Sequence, residues 1–192
     1  MDIYKELFLM QQTYATLFSL ANKIQIKGDI YFQSLTSRQY MTMLAIAHLQ
    51  QDETTLNNIG RKLGTTKQSV KQIISILEHK EFVRIAPSPR DKRAVNVIIT
   101  ETGMQALLES SEKGIYFLAD LFAEFTSDEL EFMWNLLKKL YRFDGEEQDG
   151  FESDGTQEPA ENADELQTRV MEEFERRRNQ SKLGGPNHET KK

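Results

Sequence analysis

The chain of 192 residues has no cysteine, so it can form neither disulfides nor thiolate metal sites, and it cannot sense oxidants through thiols. Its three histidines lie far apart in the sequence, and there is no glycine-rich loop of the kind that binds phosphate. No apolar run approaches the roughly 18 residues that span a bilayer, and the first residues lack the basic segment of a signal peptide. We therefore expect a cytoplasmic protein that is not an enzyme, uses no metal or other cofactor, and does not contact a membrane.

The composition changes at Asp144, after which acidic residues accumulate without a lysine or arginine until Arg169. This change predicts a folded domain over residues 1–143 and an acidic, largely disordered tail over residues 144–192. Within the tail, Leu166, Val170 and Phe174 recur every four residues, which predicts a short helix over residues 163–178. Two interpretations of this helix remain open: it is solvated, or it docks on a partner or on the domain itself.

The most informative segment covers residues 54–100. It begins with a short amphipathic helix that ends at Gly64, followed by threonines suited to cap a second helix from Lys67 to His79. Two short alternating segments then flank a basic, proline-containing loop, which predicts a β-hairpin. The expected fold class is mainly α with a small β wing: a winged helix-turn-helix with helices on both sides.

The second helix of this segment has one apolar face and one polar face. The polar face and the wing provide the candidate DNA-binding residues: Thr66, Lys67, Gln68, Ser69, Lys71, Gln72, Arg84, Arg90, Asp91, Lys92 and Arg93. Between Thr54 and Ala94, nine lysines and arginines stand against three acidic residues, a net charge of +6, whereas the whole chain carries -6. A basic segment in an acidic protein is typical of a nucleic-acid contact surface, so we expect double-stranded DNA as the partner.

The motifs of this segment resemble the multiple antibiotic resistance regulator (MarR) family of bacterial transcription factors. Asp91-Lys92-Arg93 matches the family's Asp-any-Arg wing motif, Leu77-Glu78 matches the end of its recognition helix, and residues 99–103 match its Leu-Thr-x-x-Gly signature. The resemblance implies a dimeric, sequence-specific regulator, in particular a repressor that a small aromatic or phenolic effector releases from DNA. One departure is Glu81, where the family has glycine. This departure predicts a changed entry angle for the wing, because a left-handed residue other than glycine costs about 1 kcal/mol.

A seam of apolar residues spaced three and four apart predicts a first helix over residues 3–24, with a break at Gly28. This seam fits either the core of the chain alone or a helix that packs on both its own domain and a second subunit, and the resemblance favours the latter. We expect the homodimer to form through helices 3–24 and 101–143, and the candidate dimerisation residues are Ile3, Leu7, Met10, Leu130, Met133, Leu137 and Leu140. The last of these helices is predicted to begin at a cap on Ser127, with Leu130 in the place of the usual Glu or Gln.

Three aromatic residues are candidates for an effector cleft: Tyr14, Phe18 and Tyr116. Aromatic residues at helical spacing also serve as ordinary core, so both interpretations remain open. His48 is predicted to be a hydrogen-bonded core histidine rather than a metal ligand. The alternative function is a winged-helix protein-interaction module whose acidic tail recruits a partner. A wing tip with three cations around one aspartate argues against it, because a docking wing does not need them.

Overall fold

The structure is a computed structural model that describes residues 2–88, 94–145 and 163–183. Its helices and strands follow one another in this order: α1 (Ile3–Tyr31), α2 (Ser37–His48), α3 (Leu56–Lys62), α4 (Lys67–His79), β1 (Val83–Pro87), β2 (Val95–Ile99), α5 (Glu101–Leu121), α6 (Ser127–Tyr141) and α7 (Ala163–Leu183). A 3-10 turn at Arg142–Asp144 follows α6. The predicted fold class, mainly α with a small β wing, is confirmed.

The helix-turn-helix has the boundaries that its sequence signals predicted. Gly64 adopts a left-handed conformation with φ of 61°, and α4 runs from Lys67 to His79. The side chain of Thr66 caps α4 by accepting a hydrogen bond from the backbone N–H of Ser69 at 3.1 Å. The inner face of α4 packs into the main hydrophobic core through Val70, Ile74 and Leu77, together with Met43, Ile59, Val83 and Val97.

The wing is a two-stranded antiparallel sheet. Val83 pairs with Ile99, and Ile85 pairs with Val97. Val83 and Val97 are buried under the sheet, which fixes its inner face on the core. The backbone N–H of Val97 also donates to the carbonyl of Thr54 at 3.0 Å, so the wing is attached to the residues that lead into α3.

The predicted end of the first helix is wrong, because α1 continues through Gly28 to Tyr31. Gly28 is buried where α1 meets the start of α2, and a Cβ atom there would lie only 2.5 Å from the Ser37 hydroxyl oxygen. That hydroxyl donates to the carbonyl of Gln25 at 3.0 Å. The glycine therefore permits a close approach between two helices and does not break the first one.

The predicted cap of α6 is also wrong by one residue. Thr126, and not Ser127, is the N-cap, and its side chain accepts from the backbone N–H of Glu129 at 3.3 Å. In return, the Glu129 carboxylate accepts from the Thr126 backbone N–H at 2.8 Å. This bond, together with a second one from the Thr126 hydroxyl to the same carboxylate at 2.9 Å, holds the pKa of Glu129 below its usual value. The shift of one residue gives α6 a complete capping box, which a cap at Ser127 with Leu130 would lack.

The tail helix α7 extends to Leu183, beyond the predicted residue 178, and it lies along α5. Val170 is buried in this contact, and Phe174 is half-buried. Of the two interpretations left open by the sequence, the structure therefore has the helix docked on its own chain. Within the described ranges, no helix is both long enough and apolar enough to cross a membrane.

Glu81 has a φ of 60°, so the glutamate adopts the left-handed conformation expected of a glycine. It ends α4 in a Schellman motif: the N–H of Glu81 donates to the Glu78 carbonyl, and the N–H of Phe82 donates to the Leu77 carbonyl, each at 2.9 Å. These two bonds satisfy carbonyls that the end of a helix otherwise leaves unpaired. Glu81 thus adopts the backbone conformation of a glycine, and that conformation is strained because the residue has a side chain.

Replacing Glu81 with glycine should therefore raise the free energy of unfolding by about 1 kcal/mol, because the left-handed strain disappears. Urea denaturation followed by circular dichroism measures the change. Gly64→Ala is the matched control, and it should lower the free energy of unfolding, because φ there is also positive. Nothing crowds the added methyl group, whose nearest neighbour is the Tyr141 hydroxyl at 3.8 Å. A Glu81→Gly variant no more stable than the parent would show that the turn is unstrained.

Candidate nucleic-acid interface

The candidate interface is built on α4, whose C-terminal end is tied to the start of α2. The Lys80 ammonium group donates to the Ser34 carbonyl at 2.9 Å and to the Gln39 side-chain oxygen at 3.0 Å. Gln39 is itself part of the capping box of α2 with Thr36. One lysine therefore joins the last turn of α4 to the first turn of α2. Sequence reasoning missed this role, because the partners lie about 40 residues away.

The outer face of α4 is polar and solvent-exposed at Lys67, Gln68, Lys71 and Gln72. Thr66 and Ser69 share a hydrogen bond of 3.0 Å between their hydroxyl groups, so part of their capacity is already used in capping the helix. The four exposed side chains can offer amide and ammonium groups to base edges or phosphates. These DNA-binding assignments remain a prediction.

The wing contributes one described cation to this surface: Arg84, which is exposed on β1. The other predicted wing residues, Arg90, Asp91, Lys92 and Arg93, lie outside the described residues. In the described part of residues 54–94, six basic side chains stand against Glu78 and Glu81, a net charge of +4. The positive charge is therefore not confined to the wing tip.

Ile76 is an apolar residue on α4 that the sequence interpretation did not assign to a surface. Its side chain is 48% exposed, although it lies one turn beyond Gln72. The sequence contained a signal for this exposure, because Ile76 lies outside the stripe formed by Val70, Ile74 and Leu77. The outer surface of α4 is therefore polar toward its N-terminus and partly apolar toward its C-terminus.

The candidate dimerisation residues are accessible in the single chain. On α1, Ile3 is 67%, Leu7 52% and Met10 59% exposed. On α6, Leu137 and Leu140 are exposed, and Leu130 and Met133 are half-buried. Exposed apolar residues in such number are typical of a contact surface, because leaving them in water has a cost. Their assignment to a dimer interface remains a prediction.

The three candidate effector residues occupy different environments. Tyr14 and Phe18 are exposed on α1. Tyr116 is half-buried on α5, where its hydroxyl donates to Glu112 at 2.8 Å and the Arg177 guanidinium lies 4.9 Å from the centre of its ring. Burial and the bond to Glu112 raise the pKa of Tyr116. No described contact joins Tyr116 to Tyr14 or Phe18, and their role in effector binding remains a prediction.

His48 is half-buried at the end of α2, and its pKa is lowered first by burial and then by the charge of Lys62. The imidazole is therefore neutral at pH 7. In the part of the chain that the structure describes, no three histidine, aspartate or glutamate side chains come together in a group that could hold a metal ion.

The fold and the exposed face of α4 define a winged helix-turn-helix protein. The sequence profile of the MarR family matches residues 33–94, which cover α2, α3, α4 and β1. Over this part, about a third of its length, the chain is similar to the MarR family of transcriptional regulators.

Individual relatives and solved structures are also similar to this chain. The HTH-type transcriptional regulator YwaE of Bacillus subtilis (strain 168) is 34% identical over 82 residues, which are 43% of this chain and 48% of that protein. The match thus spans about half the length of that relative. A MarR/EmrR family regulator from Acinetobacter sp. ADP1 has the same fold, with a TM-score of 0.63, 23% identity, and coverage of 70% of this chain and 95% of its own. The S. aureus MepR–DNA complex is also similar, with a TM-score of 0.59 and 25% identity. The match covers 67% of this chain and 96% of the MepR chain.

The family signature at residues 99–103 has a direct physical role in this chain. Thr100 caps α5 by accepting from the backbone N–H of Gly103 at 3.0 Å, and its hydroxyl donates to the Glu81 carbonyl at 2.7 Å. A Cβ atom at Gly103 would lie 1.9 Å from the Phe82 carbonyl oxygen. The signature therefore holds the first turn of α5 against the turn that ends α4.

Gly103→Ala should lower the free energy of unfolding by about 2–4 kcal/mol, because the methyl group meets backbone and cannot be accommodated by rotating a side chain. Chemical denaturation measures the loss. The control is Gln105→Ala, two residues further along the same helix and exposed, which should change stability by no more than about 0.5 kcal/mol. Equal effects of the two substitutions would contradict the close approach at Gly103.

Proposed function

We propose that the protein is a dimeric, sequence-specific DNA-binding regulator, and that α4 reads the DNA. The observation that carries this proposal is the division of α4 into two faces. One face is locked into the core by Val70, Ile74 and Leu77, while the opposite face presents Lys67, Gln68, Lys71 and Gln72 to solvent. A rigid helix with an exposed, uncommitted polar face suits insertion into a groove. The MepR structure, a relative in fold, is a complex with DNA.

In this proposal, α4 enters the major groove. The amide groups of Gln68 and Gln72 can pair with the N6 and N7 positions of adenine. Lys67 and Lys71 can bind guanine or the phosphate backbone. Two recognition helices of a dimer would reach half-sites about one helical turn (roughly 34 Å) apart, so the preferred site should be palindromic.

The wing would follow the neighbouring minor groove, where the electrostatic potential of a narrow groove favours arginine. We assign this contact to Arg93, with Arg84, Arg90 and Lys92 adding charge. Asp91 would orient Arg93 by accepting a hydrogen bond, since a carboxylate facing phosphate would be repelled. Arg84 is the part of this set that the structure describes, and it is exposed on the first strand of the wing.

The dimer would form through α1, α5 and α6. Apart from Glu6 and Leu17, residues 2–23 of α1 are exposed, including Ile3, Leu7 and Met10. Leu108 on α5 and Leu140 on α6 are exposed as well. A second copy of the chain supplies complementary apolar surfaces of the same kind, which is how a two-fold interface is built.

We further propose that this regulator is a cytoplasmic repressor and that a small aromatic or phenolic effector releases it from DNA. Tyr14 and Phe18 on α1 provide exposed rings beside the proposed dimer surface, and Tyr116 provides a ring on α5. An effector bound among these helices would change the distance between the two recognition helices. Calorimetric titration with phenolic acids, compared between the parent and Tyr14→Ala, tests this part independently of DNA.

For DNA binding, we expect two kinds of residue on α4 to behave differently. Lys67→Ala combined with Lys71→Ala should weaken binding to all sequences and reduce the slope of log K against log[salt] by about two, since each lysine neutralises about one phosphate. Gln72→Ala should cost roughly 1–3 kcal/mol on the selected site and little on random DNA.

Fluorescence anisotropy on a site selected from a random DNA pool, measured at several salt concentrations, gives both quantities. Lys27→Ala removes an exposed positive charge from α1, outside the winged helix-turn-helix, and should leave the salt slope unchanged. If the selected site and random DNA lost the same affinity on Gln72→Ala, α4 would not be reading sequence.

For the dimer, Leu7→Glu should raise the dissociation constant at least about a hundredfold, because a charge without a partner would be buried in the interface. Sedimentation over a range of protein concentrations measures this constant. Gln12→Glu introduces the same charge at a nearby polar position of α1 and serves as the control. A parent protein that sediments as a monomer at micromolar concentration would overturn the dimer.

A further inference from the structure

The tail helix α7 docks on one particular side of α5. Helix α5 has three sides: a buried one at Ala106, Leu107 and Ser110; one that faces α7 at Glu112, Tyr116 and Asp120; and an exposed apolar one at Met104, Leu108 and Leu118. The side that α7 occupies is therefore the polar flank. The apolar side remains open, so docking of α7 and contact with a second subunit use different sides of the same helix.

Arg177 makes the central contact of this docking. Its guanidinium donates to the Asp120 carboxylate at 2.8 Å and to Glu173 on its own helix at 2.7 Å, and it lies over the ring of Tyr116. The same carboxylate oxygen of Asp120 accepts the hydroxyl of Tyr31 at 2.7 Å. Tyr31 is the last residue of α1, so a single carboxylate joins the ends of α1 and α5 to α7.

Arg178 acts on the turn between α5 and α6. Its guanidinium donates to the carbonyl of Phe122, which is the C-cap residue of α5, and to the carbonyl of Phe125 at 2.6 Å. A cation at this position suits the negative end of the α5 dipole and satisfies carbonyls that the helix leaves free. Because Phe125 immediately precedes the N-cap Thr126, the bond spans the whole turn.

Helix α6 has few other supports in the described part of the chain, and its largest apolar side chains are exposed. Its far end lies beside the turn of the helix-turn-helix: a methyl group added at Gly64 would be 3.8 Å from the Tyr141 hydroxyl. The direction of α6 is therefore set mainly at its two ends. Arg178 holds the first end, and the approach of Tyr141 to Gly64 marks the second.

We propose that α7 is an intramolecular clamp that fixes the angle between α5 and α6 and ties the end of α1 to the same point. Arg177 and Arg178 close the clamp, and Val170 and Phe174 provide its apolar contact. The clamp presets the relative positions of α1 and α6, which are the surfaces of the proposed dimer. Its consequence for DNA spacing rests on the proposed function, whereas the clamp itself does not.

The chain offers a matched pair of variants for the test. Arg177→Ala combined with Arg178→Ala removes both contacts that close the clamp. Arg176→Ala is the control, because Arg176 pairs with Glu173 inside α7 and is largely exposed. Hydrogen exchange on the full-length chain, read by mass spectrometry, reports the opening of α7 and of the turn at residues 122–126.

In the double variant, we expect exchange in α7 and in the turn to accelerate about tenfold or more, with exchange in α4 unchanged. The Arg176→Ala variant should exchange like the parent. High salt should open the clamp in the parent as well, since the Debye length falls to about 3 Å at 1 M. If the parent shows no protection in α7, or if the turn keeps its protection after the double substitution, the clamp is overturned.

The effect of the clamp on the dimer is measured separately, as the affinity for operators whose half-sites are moved apart by one base pair. The parent should prefer the original spacing about tenfold, and the double variant should lose most of this preference. A parent that binds no DNA would refute the proposed function and leave the exchange result to decide the clamp. A variant with an opened turn and an undiminished spacing preference would show that the clamp does not control the dimer.

Discussion

The close packing of Gly103 against the Phe82 carbonyl is the constraint on which the arrangement of this protein depends. At this point the end of α4, the start of the wing and the start of α5 meet within one hydrogen-bonded unit. Thr100 closes the unit, because its backbone N–H donates to Phe82 and its hydroxyl donates to Glu81. Direct contacts therefore hold the start of α5 against the end of α4. Residues 99–103, which match the MarR signature, therefore form a junction between α4, the wing and α5.

A second set of contacts fixes the direction of α4 relative to the scaffold. Lys80 holds its last turn to the start of α2, and Gly64 and Thr66 determine where it begins. The apolar stripe of α4 lies in the closely packed core, and this packing opposes rotation of the helix about its axis. The polar side chains are therefore presented by a helix whose ends and inner face are all constrained. Such preorganisation would lower the entropic cost of the proposed DNA contact.

The peripheral helices α1 and α6 are much less constrained than α4. Most of α1 and most of the large apolar side chains of α6 are exposed, so these helices depend on contacts made at their ends. Arg177 and Arg178 supply such contacts from the tail, although the tail is acidic overall. The three arginines at positions 176–178 are not equivalent: the first pairs within its own helix, whereas the other two reach α5 and the following turn. Two adjacent positive charges thus give a polar tail a defined place on the domain.

Sequence patterns were enough to predict the fold class, the boundaries of α4, the cap at Thr66 and the left-handed glycine at position 64. All of these follow from interactions between residues three or four apart, which periodicity and capping rules describe. The continuation of α1 through Gly28 was decided by the approach of Ser37, which no local pattern contains. The tertiary structure alone also decided the docking of α7, because Arg177 and Asp120 are 57 positions apart. The role of Lys80 also depends on the tertiary structure, because its partner Ser34 lies 46 positions earlier. A charged or polar side chain carries no periodic signal of its partner, so its role appears only when the chain has folded.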